Sequence, residues 1–469
     1  SSSDRPLRGE ELKKKTAISE SQVGSKTAKK TSQKSIRSTP ISRMAALGGT
    51  GAKVGINYLK YYGKRALAGG SDSSQEAHAR ELDEQNASTI YDTFSKLKGG
   101  PLKLAQMLSI DKNLLPRAYA DQFVQAQYSV PPLSYPLVVR TFQRDFGKEP
   151  LDLFDTFGRE AASGASIGQV HKASQKGKDY AVKVQYPGVA ESLKSDLRVV
   201  KPIALRVLGL RERDVDQYFR EVETRLLEET DYTMELERSL HLSKASAHLE
   251  NIRFPKYHPE LSSRHILTME WIDGEPLDRF ADGKASQAER DLIGQALWDF
   301  YSHQVHELNL FHADPHPGNF LVSEDNLCVL DFGCTKQITQ EFYRKQFRFL
   351  DPNLPGNPAL LEEALRDLDV IIKSDTEKEI SQIMTLCRTW LDLLALPFRS
   401  GTFDFGDAGF LKAIYDMGEE NRKADHLRTM KGQRGSPDTI YVNRAFFGLY
   451  SLLGRLRSRV NVSLPDWLK

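Results

Sequence analysis

The chain has 469 residues, 39% of them hydrophobic, and 65 Lys+Arg against 63 Asp+Glu give a formal net charge of +2. That length suggests two to three domains, and the composition is that of an ordinary soluble globular protein. No run of 18 apolar residues marks a transmembrane helix and no secretory signal pattern is present. Three cysteines cannot build a disulfide framework, and with no CxxC pair among them a structural zinc site is not expected. Their scarcity points to a reducing compartment.

The near-neutral charge sums unlike parts: residues 11–65 carry +11 and residues 66–469 carry −9. Residues 1–40, rich in Ser, Thr and Lys, are expected to form a disordered basic arm. Such an arm suits anionic membrane lipid or a transit segment. Residues 41–74 are read as a membrane-surface helix and linker. Gly48, Gly49, Gly51 and Gly55 each weaken that helix by about 1 kcal/mol. Tyr58, Tyr61 and Tyr62 accompany the basic residues, but no nucleic-acid motif does, and no nucleic-acid partner is expected.

Residues 75–149 form a helical extension. Ile90, Phe94 and Leu97 repeat at helical spacing, and Gly99-Gly100-Pro101 resets the chain. In the following helix, LKLAQMLSI, Lys103 and Gln106 share one face and are expected to turn toward a polar cleft. Beyond residue 150 the pattern changes. Ala165–Ala173 and Tyr180–Gln185 read as strands joined by the turn SQKGKD, and Arg264–Glu270 as a buried strand. Residues 191–247 and 286–308 read as helices, 312–333 as a loop and hairpin, and 340–469 as all-helical.

The chemistry is concentrated in HADPHPGNFLV and LCVLDFG. Asp314, Asn319 five residues later, and Asp331 of Asp-Phe-Gly follow the order and spacing of a kinase catalytic loop and its metal-binding motif. Phosphoryl transfer needs such groups because magnesium held by carboxylates must neutralise phosphate charge while another carboxylate orients the nucleophile. Asp314 is the candidate catalytic residue, and Asn319 and Asp331 are the candidate metal ligands. His312 and His316 are expected to brace the loop, and Cys334 to be a small buried residue.

Upstream, Tyr180-Ala181-Val182-Lys183-Val184 has the form of the strand motif whose lysine orders ATP phosphates and pairs with a helix glutamate. Glu229 and Glu235, in EETDYTMELE, are the candidate partners, and the residues alone do not choose between them. Glu228 and Glu237 read as solvated faces of the same helix. In the stretch Ser163 to Val170, only Gly168 and Val170 match the Gly-rich loop, and Ser166 is a candidate phosphate contact. LTMEWIDGEPLD resembles an inter-lobe hinge, with Met269 as gatekeeper and Glu270, Trp271 and Ile272 offering backbone groups to adenine. No Ala-Pro-Glu follows Asp331, so a peptide platform is not expected.

Together KLAQMLS, ASIGQVHKA, AVKVQYPGV, EETDY, LTMEWIDG, FHADPHPGNF, LDFG and RAFFGLYSLLGRL resemble the UbiB family of atypical protein-kinase-like proteins, from about residue 75 onward. The resemblance implies an α+β, bilobal protein-kinase-like fold. It has a small β-rich N-lobe (150–272), a helical C-lobe (273–469) and a helical N-terminal extension over the active site. It implies that Lys103 and Gln106 gate the site, with Ala105 where the family has glycine. Glu229 and Asp231 would meet that extension, and family position selects Glu235 as the partner of Lys183. The family's Ala-Ala-Ala-Ser falls on Ser163, Gly164, Ala165 and Ser166.

The implied activity is ATP hydrolysis or phosphoryl transfer with Mg2+, supporting ubiquinone or other prenyl-lipid metabolism. The implied partners are a hydrophobic prenylated or phenolic precursor and a quinone-biosynthesis protein complex. The implied place is cytoplasmic, peripheral to the inner face of a bacterial membrane, or alternatively the mitochondrial matrix face. Two other functions fit the same motifs: a protein or small-molecule kinase, and a nucleotide-binding scaffold without turnover.

Overall fold

The computed structural model describes residues 53, 81–82, 84–93, 133–165, 167–208, 212–313, 315–423 and 434–469. The basic arm, Lys103, Gln106, Ser166 and Asp314 lie outside these residues.

The smaller lobe is built on an antiparallel sheet of β1 (Thr156–Phe157), β2 (Ser163–Gly164), β3 (Gly168–Gln175) and β4 (Lys178–Gln185). β5 (Ile252–Arg253) leaves for the other lobe before β6 (Ile266–Glu270) returns to complete the sheet, in the order β1-β3-β4-β6 with β2 on β3. Gln175 pairs with Lys178, so Lys176 and Gly177 form a two-residue turn, with φ of 50° and 73°. Two successive positive φ values give the turn a twist that matches the strands it joins. The Asp155 carboxylate accepts the Lys176 N–H at 2.7 Å.

Alternation along β4 decides where chemistry can occur, because successive side chains point to opposite faces. Tyr180, Val182 and Val184 join Ile266 on one face, against Val138 and Phe142 of the helix Tyr135–Phe146. Phe142 meets Phe157 edge-on at 5.4 Å, and burying a ring of this size contributes roughly 1.5–3 kcal/mol. That helix carries its apolar stripe on the back of the sheet, so residues 135–146 pack with the small lobe although the sequence grouped them with the extension. The other face of β4 presents Ala181 and Lys183, beside Met269 and Leu267 of β6.

Three helices follow, Val189–Leu208, Glu212–Glu229 and Tyr232–Ala245. The break between the last two corrects the reading of EETDYTMELE as one helix. Asp231 accepts the Thr233 N–H at 3.0 Å and starts the new helix as its N-cap. Glu228 is likewise not a solvated face, since its carboxylate takes Arg225 at 2.9 Å and Arg238 at 2.6 Å and so ties the two helices together.

In the larger lobe, β5, β7 (Glu275–Pro276), β9 (Phe320–Ser323) and β10 (Asn326–Val329) form a sheet of order β5-β10-β9-β7. β8 (Leu310–His312) pairs with β11 (Thr335–Gln337). The helices Gln287–His303 and Pro437–Leu456 run through the main core with Leu297, Phe300, Tyr301, Leu449 and Leu453. Residues 340–469 are not all helical: β12 (Thr402–Asp404) pairs with β13 (Arg459–Asn461). Strands of three residues leave too little alternation to read in a sequence. Among the described residues, no helix is long and apolar enough to cross a membrane.

Candidate active site

Lys183 reaches from β4 into the cleft and is almost fully buried. Its Nζ donates to both oxygens of Glu235, at 2.8 and 3.0 Å, and to Asp331 Oδ2 at 3.1 Å. The Tyr232 ring lies 5.0 Å from the same ammonium. Burial alone would lower the Lys183 pKa, but Asp331 and Glu235 outweigh it and hold the ammonium well above the ordinary lysine value. Burial pushes Glu235 up to about 7 against the pull of Lys183, with Asp331 and Glu229 adding repulsion. Of the two acids weighed for Lys183, Glu235 makes the contact. Glu229 is buried at the end of the preceding helix.

Asp331 follows the β9–β10 hairpin. The Val329–Phe320 pair is extended by one bond, from Leu330 N–H to Asn319 O at 2.9 Å, so Asn319 is fixed beside the segment carrying Asp331. His316 Nδ1 accepts the Gly318 N–H at 3.0 Å and caps the Pro317–Asn319 turn. Asp331 Oδ1 accepts the Gly333 N–H at 2.7 Å, while about a third of the side chain is open to solvent. A side chain at 333 would stand 3.1 Å from Asp331 Oδ1 and 3.5 Å from Glu235 Oε2, so glycine there leaves room for two carboxylates.

Phe332 anchors the motif from behind. It is fully buried against Phe254 (5.9 Å), Phe300 (6.2 Å) and His312 (6.3 Å). The two residues before Asp314 are tied to two different segments. Ala313 N–H donates to Cys334 O at 2.8 Å, and the His312 N–H goes to Gln304 Oε1 at 2.9 Å. Cys334 is buried, as its neighbours require.

The roof of the cleft is the β2–β3 hairpin, closed by Ala165 N–H to Gly168 O at 2.8 Å. Beneath it runs a buried polar chain. Leu133 N–H donates to Gln169 Oε1 (2.7 Å), Gln169 Nε2 to His171 Nε2 (2.8 Å), and His171 Nδ1–H to Gly158 O (2.7 Å). This fixes the imidazole tautomer, and burial lowers the His171 pKa. At the hinge, Met269 faces the cleft opposite Ala181. The Glu270 and Trp271 amides are already spent on Lys256 O (2.7 Å) and Asp179 O (3.0 Å).

Two residues in this neighbourhood escaped the sequence reading. Tyr232 places a buried hydroxyl, without a hydrogen-bond partner, under the Gly168 turn. Gly448, in the Pro437–Leu456 helix, packs directly on Pro315, next to Asp314. Both lie inside motifs quoted for the resemblance, EETDY and RAFFGLY, but neither carries a charge that would mark it.

A strand lysine paired with a helix glutamate and an Asp-Phe-Gly aspartate, between a small sheet lobe and a larger helical one, defines an α+β, bilobal protein-kinase-like protein. Residues 125–354 match the ABC1 atypical kinase-like domain, a match consistent with the UbiB family. It is 25% identical over 436 residues to the probable serine/threonine-protein kinase abkA of Dictyostelium discoideum, covering 88% of this chain and 75% of that one. It is 29% identical over 384 residues to the rat mitochondrial atypical kinase COQ8B, covering 80% and 71%. The fold also resembles Rv3197 from Mycobacterium tuberculosis, solved in complex with erythromycin. The TM-score is 0.52 and the identity 24%, over 84% of this chain and 97% of that one.

Proposed function

We propose that this protein is a magnesium-dependent atypical kinase that hydrolyses ATP, or transfers its γ-phosphoryl group, at a membrane surface in ubiquinone or prenyl-lipid metabolism. The observation that carries the reading is the single Lys183 ammonium held between the Glu235 and Asp331 carboxylates. Two carboxylates around one ammonium leave an excess negative charge, and Asp331 beside Asn319 is an oxygen donor set suited to a hard cation such as Mg2+. When bound, that ion supplies charge neutralisation to the phosphates. Asn319 and Asp331 would hold it, Lys183 would orient the α- and β-phosphates, and Ser166 would contact a phosphate oxygen. Asp314 would orient the acceptor or water.

Met269 would border the adenine. With two hinge amides spent in the sheet, the Ile272 backbone is the remaining donor for it. Lys103 and Gln106, with Glu229 and Asp231, would gate the cleft. Relatives named as mitochondrial atypical kinases favour a quinone-pathway role and the mitochondrial matrix face. The +11 segment at residues 11–65 is the part suited to anionic lipid, and deleting residues 1–68 is expected to weaken vesicle binding while sparing ATP binding.

The test is phosphate release from ATP by the full chain in Mg2+, with and without phosphatidylserine vesicles. Turnover that Asp331→Asn abolishes supports the reading, and equal turnover in that variant sinks it. The kinase name of the Dictyostelium relative favours transfer as a second reading. Labelled phosphate passing to a phenolic or prenylated acceptor, absent with Asp314→Asn, would select transfer over hydrolysis.

A further inference from the structure

A group of metal-ligating side chains lies away from this cleft, where the end of the Glu235 helix meets the helix Gln287–His303. His248, His303 and Glu307 each offer a ligand atom, all within 4.8 Å of one another. The two imidazole rings meet edge-on at 4.7 Å. His303 is buried, and its Nε2–H donates to the Ala245 carbonyl at 3.2 Å, a bond of the kind that orients metal-ligating histidines from behind. In the neutral ring that bond leaves Nδ1 as the lone-pair nitrogen. Nδ1 is buried without a hydrogen-bond partner, yet Glu307 Oε2 stands 3.0 Å away. A lone pair facing a carboxylate oxygen at that distance is repulsive unless a proton or a metal ion lies between them.

The backbone is unusual at this point. Gln304–Leu308 forms a π-turn at the end of the helix, a rare geometry enriched at functional sites. The surroundings are acidic. Asp299 lies one turn before His303, and its carboxyl is pushed up by burial and by Glu250, two residues past His248.

We propose that His248, His303 and Glu307 bind a divalent transition-metal ion of the zinc class, with water completing the coordination. Two imidazoles and one carboxylate match the three-ligand zinc pattern, and nitrogen donors disfavour magnesium and calcium. Ligand atoms around tetrahedral zinc sit ~3.3 Å apart for bonds of 2.0–2.1 Å. The two exposed side chains, His248 and Glu307, need only small rotations to close from 4.8 Å. The ion would clip the helix that carries Glu235 to the turn whose Gln304 holds His312. The proposal does not depend on what the ATP site does.

The test uses the full chain stripped with EDTA and kept in excess magnesium, which occupies oxygen-donor sites. Zn2+ is followed by calorimetry and thermal melting, and Co2+ by visible absorption. The expected result is one Zn2+ per chain, a rise in Tm, and a tetrahedral Co2+ spectrum. His248→Ala and Glu307→Gln alter exposed residues, so they should fold with an unchanged metal-free Tm while weakening Zn2+ at least tenfold. Absence of binding, or equal binding by both variants, overturns the proposal. So does a metal-independent loss of Tm in Glu307→Gln, the mark of a plain imidazolium–carboxylate pair.

Discussion

Lys183 and Glu235 meet as a forked ion pair, both carboxylate oxygens on one ammonium, at a point where each side chain is more than nine-tenths buried. Taking either charge out of water alone costs several kcal/mol, so Glu235 is tolerated because Lys183 is present, and Lys183 because Glu235 and Asp331 both face it. Glu235→Ala leaves Lys183 to Asp331 and should destabilise the fold by up to about 3–5 kcal/mol. Lys183→Met combined with Glu235→Leu removes both charges at similar volume and should recover most of that loss, while ATP turnover stays abolished. Urea unfolding of the three chains checks this. A double variant no more stable than Glu235→Ala would show that the pair is not what the lysine requires.

How far the sequence carried this site depends on the length scale of each contact. Lys183 was legible because strand alternation separates it from Tyr180, Val182 and Val184, a pattern contained in a few residues. Asn319 and Asp331 were legible because one hairpin joins them. The choice of Glu235 over Glu229 was not open to residue spacing, because it turns on a helix break at Asp231 and a contact 52 residues long. The strands at 402–404 and 459–461 pair across more than fifty residues with three residues each, below any local signal. His248 and His303 are likewise 55 positions apart, and only the packing of two helix ends brings them together.

The two glycines of the roof hairpin should respond oppositely to alanine. At Gly168 an added Cβ would stand 2.5 Å from Val184 O and 2.6 Å from the Tyr232 hydroxyl, and a strand carbonyl cannot retreat. Gly168→Ala should cost about 1–3 kcal/mol, the ordinary range for overpacking. At Gly164 nothing lies within 4 Å and φ is not positive, so alanine is sterically free there. Gly164→Ala should hold or raise stability by about 0.4–1 kcal/mol, through the entropy of the unfolded chain. Thermal melts of both variants decide it. A destabilised Gly164→Ala would mean that the glycine serves a conformation other than this one.

Gly448 gives the late helix a role in placing the catalytic loop. A methyl group there would fall 2.0 Å from Pro315 Cγ, and the proline ring has no rotamer into which to swing. Gly448→Ala must move the helix or Pro315, and Pro315 adjoins Asp314. Under the proposed ATPase function, the expected result is turnover reduced at least tenfold with little change in KM for ATP. At Gly454 the clashing atom is a Leu411 methyl, the end of a rotatable side chain, so Gly454→Ala should be milder. Steady-state kinetics on both variants test the contrast, and equal kcat values in wild type and Gly448→Ala would refute it.

His306 should make the larger lobe sensitive to mild acid. Trp467 Nε1 can only donate, so its 3.0 Å bond makes the Tyr343 hydroxyl oxygen an acceptor. The Tyr343 O–H is then directed to His306 Nδ1, 3.0 Å away, which must be unprotonated. Burial lowers the His306 pKa from 6.5 to about 4. The unfolded chain takes up a proton near pH 6.5 while the native state resists until about pH 4, so stability falls as pH drops through that window and the loss is complete below it. The gap corresponds to about 3 kcal/mol. His306→Gln keeps a polar partner for Tyr343 but does not titrate, so its stability should decline less between pH 6.5 and 4 than that of wild type. Denaturant midpoints across that range measure the difference, and parallel curves would remove His306 as the source.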